Sequence, residues 1–153
     1  MPTNYKKESK LYVAAVDCTG HGVPGALMSV IANGLLRSII VKRNLANPAE
    51  ILFALDEELQ SALLNENSAD GMDIALCEID LENKKLSFSG AFRPLVLIRN
   101  NKLIEFKASK YPIGFYVEIE KKFTLHEYAL QTGDALYLFS DGYSDQFGGE
   151  KNK

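Results

Sequence analysis

The first apolar feature of the chain is a short unbroken run, Leu11–Val16 (LYVAAV), that stops abruptly at Asp17. Such a run bounded by polar residues is the pattern of a buried central strand, which places Asp17 at that strand's carboxyl edge. After the glycine-punctuated DCTGHGVPG, Leu27, Val30, Ile31, Leu35 and Ile39 recur at helical spacing. They predict a helix over about Pro24–Lys42, with Pro24 in its first turn. Asn47 followed by Pro48 announces a second helix, with Asn47 as N-cap and Ile51, Leu55, Leu59, Ala62 and Leu63 as its apolar stripe.

Beyond the polar stretch NENSADG the period changes from helical to two. Asp73–Asp80 and Lys84–Gly90 flank LENK, and Leu95–Arg99 and Lys102–Phe106 flank NN, so each pair reads as an antiparallel hairpin. Phe123–Tyr128 and Ala135–Ser140 predict two further strands joined by the turn LQTGD. The remainder, SDGYSDQFGGEKNK, is polar and glycine-rich. Helices segregated from a run of antiparallel strands give an α+β class with sheet layers covered by helices.

Composition narrows the picture. A chain of 153 residues, 46% apolar and 24% charged, suits one globular domain with a real core. The net charge of −3 offers no basic field for nucleic acid. No unbroken apolar run approaches the roughly 20 residues of a membrane span, and MPTNYKKESK has no signal-peptide core. The expectation is a cytoplasmic chain without membrane contact. Cys18 and Cys77 have neither the number nor the spacing of a disulfide framework or a zinc site, so both are expected reduced.

The candidate chemistry lies at two strand ends. Asp17 and Asp141 each terminate an apolar strand and are each followed within a few residues by glycine, so their carboxylates can converge. Hard divalent cations take oxygen ligands of this kind and suit phosphoryl chemistry. The spacing by itself equally allows Asp17 to cap the helical region and Asp141 to head an Asx-turn. Gly20, Gly22 and Gly25 let the backbone pass close to such a site. His21 lies in the same loop without a ligand role fixed by pattern. Asp73 stands near the site or caps a turn, and Arg93 is a phosphate contact or a salt-bridge partner. His126 reads as a boundary histidine and Asp134 as a turn residue.

The wording of these segments adds what spacing leaves open. DCTGHGVPGALMS, Asp17–Ser29, resembles the D-x-T-G-H-G-x-P-A/G-A-x-M-S segment of SpoIIE-type PP2C-like phosphatases. The resemblance continues in order through Gly71–Leu76, Ser89–Arg99, Pro112–Gly114 and Gly133–Gly149. It implies an α-β-β-α sandwich of two mostly antiparallel sheets and a Mg²⁺ or Mn²⁺ centre. Asp17, the backbone carbonyl of Cys18, and Asp141 are the metal ligands it implies. It further implies a serine/threonine protein phosphatase acting through a metal-activated water, with a phosphoprotein substrate such as an anti-sigma-factor antagonist and a sensor domain upstream.

Two family segments have no counterpart: a G-D-F/Y strand is not found in MPTNYKKESK, and the sequence reaches Lys153 without a late D-D pair. The expectation is therefore a single partial domain, residues 1–153, truncated at both ends and carrying an incomplete two-metal centre. A catalytically inactive phosphatase-like binding module is the alternative. A haloacid-dehalogenase-like reading, with Asp17 as nucleophile, requires parallel strands and crossover helices that residues 73 to 140 do not offer.

Overall fold

A computed structural model describes residues 2–7, 9–63, 70–115 and 120–143. Among the described residues, eight strands form two antiparallel sheets. The larger has the order β1-β2-β3-β4-β7, built from β1 (Pro2–Lys7), β2 (Lys10–Cys18), β3 (Met72–Asp80), β4 (Lys85–Ala91) and β7 (His126–Ala129). The smaller has the order β6-β5-β8, from β5 (Leu95–Arg99), β6 (Lys102–Phe106) and β8 (Ala135–Leu138). Both expected hairpins, β3–β4 and β5–β6, are present. β1 is an addition: PTNYKK lacks an apolar alternation because it is an edge strand, held to β2 by backbone pairing.

The two faces of the larger sheet follow from the period of two. Tyr12, Ala14 and Val16 of β2, with Met72, Ile74 and Leu76 of β3, face one core. Ala75 and Cys77 face the other, where Leu86 and Phe88 meet Leu95, Leu97 and Phe106 of the smaller sheet. The first core is closed by helices α1 (Gly22–Arg37) and α2 (Pro48–Leu63). Asn47 Oδ1 accepts the Ala49 N–H at 2.9 Å, the N-cap that Asn47–Pro48 announced. Leu36, Leu52, Leu55 and Leu59 are fully buried, each burial stabilising the fold by about 2 kcal/mol. The α+β class stands, as two antiparallel sheets with both described helices on the outer face of the larger one.

α1 runs on through a π-helical turn, Ser38–Lys42. The joined helix Gly22–Lys42 is 21 residues long and contains an 18-residue window of mean hydropathy 1.5, long and apolar enough by those two measures to cross a bilayer. No unbroken run signals this, because Ser29, Asn33, Gly34 and Arg37 divide the segment into short apolar pieces whose Val, Leu and Ile keep the window mean high. Met28, Ala32, Leu36, Ile39 and Ile40 are packed into the core, whereas Leu27, Val30 and Ile31 of the expected stripe are exposed, because the helix turns its Met28–Ala32–Leu36 face to the sheet.

The strands expected on either side of LQTGD do not pair with each other. β7 joins β4 in the larger sheet and β8 joins β5 in the smaller, so the turn carries the chain between layers. Arg99 of β5 ties this crossing together. It donates to both Asp134 carboxylate oxygens at 2.8 and 2.6 Å and to the Ala129 carbonyl at 2.8 Å. Asp134 also accepts the Gln131 N–H at 2.8 Å, as a turn residue does.

Candidate metal centre

Asp17 is the penultimate residue of β2 and lies directly opposite Asp73 in the antiparallel register with β3. Cross-strand partners share a face, and Asp73 alternates with Ala75 and Cys77, so both carboxylates stand at the end of the space between the sheets. Thr19 secures that end. Its N–H and hydroxyl donate to the Gly71 carbonyl at 2.9 and 3.2 Å, and its Oγ1 accepts the Gly71 N–H at 2.9 Å. The next turn is drawn tight: a Cβ on Gly25 would lie 2.7 Å from the Gly20 carbonyl oxygen, and Gly20 itself has φ 89°.

Asp141 arrives from the other sheet. It opens a 3₁₀ turn, Asp141–Tyr143, shortly after β8 ends at Leu138. Because β8 pairs with β5, the smaller sheet brings this residue to the same end as Asp17.

Arg93 enters where the chain crosses from β4 to β5. The Arg93 N–H donates to the Ala91 carbonyl at 2.8 Å, closing a three-residue turn around Phe92 at φ 57°. That conformation is costly for a residue with a bulky side chain. Gly90 permits it, since a Cβ there would lie 2.4 Å from the Arg93 carbonyl oxygen. The wording SGAFRP thus encodes a strained turn that sends the Arg93 side chain back over the end of β2.

One nitrogen gathers the three acids. Arg93 Nη2 lies 2.5 Å from Asp141 Oδ2, 3.0 Å from Asp73 Oδ2 and 3.4 Å from Asp17 Oδ2. The Arg93 side chain is 16% exposed, so its charge acts in a partly desolvated setting. Partial burial raises the Asp17 carboxyl above its ordinary value, and a hydrogen bond shared with Asp141 pushes the same way against the pull of Arg93. Burial likewise raises Asp73, with Arg93 opposing. Asp141 is held low, first by Arg93 and then by the hydrogen bond from Asp17. Burial would lower the Arg93 pKa, but the three carboxylates together outweigh it and raise it.

Of the residues singled out by sequence, Asp17 and Asp141 converge, and Asp73 and Arg93 join them. Cys18, the last residue of β2, is half-buried and its thiol is raised by burial. It lines a cleft of ≈ 260 Å³ with Asp17, Gly20, His21, Gly25 and Ser29. His21 is the exposed N-cap of α1 and its side chain makes no capping hydrogen bond. His126 stands apart on β7, its Nε2 2.9 Å from the Lys107 carbonyl and its ring stacked on Phe88. Asp73 lacked a sequence signal of its own, since register rather than spacing puts it opposite Asp17. The only available hint was its place after GM in a segment of the family wording.

Among the described residues, no three His, Cys, Asp or Glu side chains close around a common point at coordination spacing as they stand. The chemistry nevertheless fits. Three carboxylates lie within 3.4 Å of one nitrogen and carry two more negative charges than Arg93 neutralises when all are ionised. All-oxygen, charge-rich sites of this kind suit Mg²⁺ or Mn²⁺.

A family model described as Stage II sporulation protein E (SpoIIE) matches residues 7–153. Among solved structures, the SiaA-PP2C domain of Pseudomonas aeruginosa is 30% identical with a TM-score of 0.86, covering 99% of this chain and 58% of that one. The PP2C phosphatase domain of SpoIIE from Bacillus subtilis is 22% identical with a TM-score of 0.75, covering 93% and 41%. RsbX in complex with magnesium is 14% identical with a TM-score of 0.67, covering 93% and 65%. No curated protein sequence matches the chain significantly. The chain therefore spans 58% of the SiaA-PP2C structure, and its fold is that of PP2C phosphatase domains.

Proposed function

The chain belongs to the Stage II sporulation protein E family, and on that premise we propose that it is a metal-dependent protein phosphatase acting on phosphoserine or phosphothreonine. The observation that carries the proposal is the approach of Asp17, Asp73 and Asp141, from β2, β3 and the turn after β8, to one nitrogen, Arg93 Nη2.

Asp17 and Asp141, with the Cys18 backbone carbonyl and with Asp73 added, are the residues that would hold Mg²⁺ or Mn²⁺. When bound, such an ion supplies Lewis-acid stabilisation of phosphoryl charge and makes a water more acidic. The chain's own residues do the rest. The β2–β3 register fixes two carboxylates relative to each other, the Thr19–Gly71 clamp keeps that register to its end, and β8 delivers the third. The glycine-lined cleft beside Asp17 leaves an open approach for a phosphorylated side chain, and with water as nucleophile no side chain has to attack phosphorus.

The substrate is a regulatory phosphoprotein, of which an anti-sigma-factor antagonist is the leading example, and the proposed setting is the cytoplasm. The family match and the likeness to PP2C phosphatase domains support the protein-phosphatase reading, and the magnesium named with RsbX supports a divalent cation.

The test is release of phosphate from a phosphoserine protein with Mn²⁺ supplied. Wild type should turn over, and Asp17→Asn and Asp141→Asn should each lose about a hundredfold or more. Binding of the phosphoprotein without release of phosphate would reject catalysis in favour of an inactive phosphatase-like module.

A further inference from the structure

The arrangement around Arg93 is unbalanced. Nη2 has two hydrogens to give and faces three carboxylates. On the same side chain, Nε is buried with no hydrogen-bond partner among the described residues. A buried donor left without an acceptor costs free energy. The guanidinium is thus over-subscribed at one end and starved at the other, on a backbone turn that is itself strained at Phe92. Such a contact is held by its charge rather than by complete hydrogen bonding.

Resting on the metal-centre reading above, we propose that Arg93 is a built-in competitor for the cation: its guanidinium and a divalent ion are alternative partners of the same oxygens of Asp17, Asp73 and Asp141. Two cations cannot share those oxygens at contact distance without strong repulsion. Entry of the ion therefore turns the Arg93 side chain away, and Arg93 sets the cation concentration at which the centre forms. Any protein molecule with Arg93 seated is not competent to bind, which weakens apparent affinity by the competent fraction.

The experiment compares Mn²⁺ binding by calorimetry and melting in chelator for wild type, Arg93→Met and Arg93→Lys. It adds an NMR titration of the wild-type arginine side-chain N–H signals with diamagnetic Mg²⁺, the Arg93 signal being identified by its loss in Arg93→Lys. Expected are Mn²⁺ binding about tenfold tighter in Arg93→Met, a lower melting temperature of that variant in chelator, and an Arg93 signal that moves with the half-saturation of metal binding. The signal separates displacement from the mere loss of a nearby positive charge.

Equal or weaker Mn²⁺ binding by Arg93→Met, or an Arg93 signal unmoved at saturating Mg²⁺, overturns the competition while leaving the metal centre standing. The NMR arm decides the matter even where Arg93→Met does not fold. Failure of wild type to bind either ion overturns the metal centre and the competition together.

Discussion

Asp17 and Asp73 face each other directly across the antiparallel pairing of β2 and β3, with a single nitrogen, Arg93 Nη2, 3.4 Å from the first and 3.0 Å from the second. Like charges in directly opposed positions destabilise a sheet, and burial raises both carboxyls further. In chelator near neutral pH, Asp73→Asn should therefore melt about 2 °C above wild type. With Mn²⁺ supplied the order should reverse, because the variant lacks an oxygen charge that the cation uses. Thermal melts in the two conditions check the crossover; a variant less stable in both would show that Asp73 serves Arg93 more than it opposes Asp17.

Gly90→Ala tests the turn that aims Arg93. The new methyl would meet the Arg93 carbonyl oxygen at 2.4 Å, so the turn must open. A loss of about 1–3 kcal/mol in urea unfolding is expected, together with a changed Mn²⁺ affinity. Gly34 provides the control, since nothing lies within 4 Å of a Cβ added there.

Thr19→Val removes the hydroxyl that both gives to and takes from Gly71. The cost should be about 1–2 kcal/mol, since the Gly71 N–H loses its acceptor. Phosphate release should fall by more than this loss of stability explains, because the clamp fixes the end of the register that places Asp17 and Asp73. Thr19→Ser, which retains the oxygen, should recover most of both.

The PIG segment is placed by a buried ion pair. Lys121 Nζ lies 2.6 Å from Asp56 Oδ1, the same oxygen accepts the Gly114 N–H at 2.7 Å, and the two side chains are 4% and 8% exposed. Asp56→Ala leaves the ammonium buried without its partner and should cost about 3–5 kcal/mol. Replacing both residues by apolar side chains of similar size should cost much less, which a double-mutant cycle in urea would measure.

Acid should loosen the crossing between the sheets. Arg99 holds the Asp134 carboxyl down to about 2, from an ordinary 3.8. A group depressed in the folded state adds stability above its unfolded pKa and loses it as pH falls through the folded one. The contribution of Asp134 should thus be complete above about pH 4 and gone below about pH 2. Asp134→Asn should flatten the pH dependence of melting in that window, and equal slopes for both proteins would refute the linkage.

Much of this molecule was legible along the chain because its signals are local. The LYVAAV run, the presence of the two helices, the Asn47–Pro48 start and the two hairpins each depend on residues within a few positions of one another. So did the motifs that pointed to Asp17 and Asp141, and the segment wording that marked the family. The face that α1 buries was not legible. β1 was illegible because an edge strand needs backbone pairing more than side-chain pattern. The separation of β7 from β8 was also hidden, since a turn sequence does not say whether the strands it joins pair with each other.

By itself, the sequence determined the α+β class, the helices and hairpins, the family wording and the two strand-end aspartates. The tertiary structure decided that Asp73 stands opposite Asp17, that β8 carries Asp141 across from the second sheet, and that Arg93 is bound among all three. The physical reason is range: periodicity and turn chemistry are set by neighbours in sequence, whereas strand register and the crossing of layers are set by packing between distant segments. Charge can meet around Arg93 only after that packing is complete.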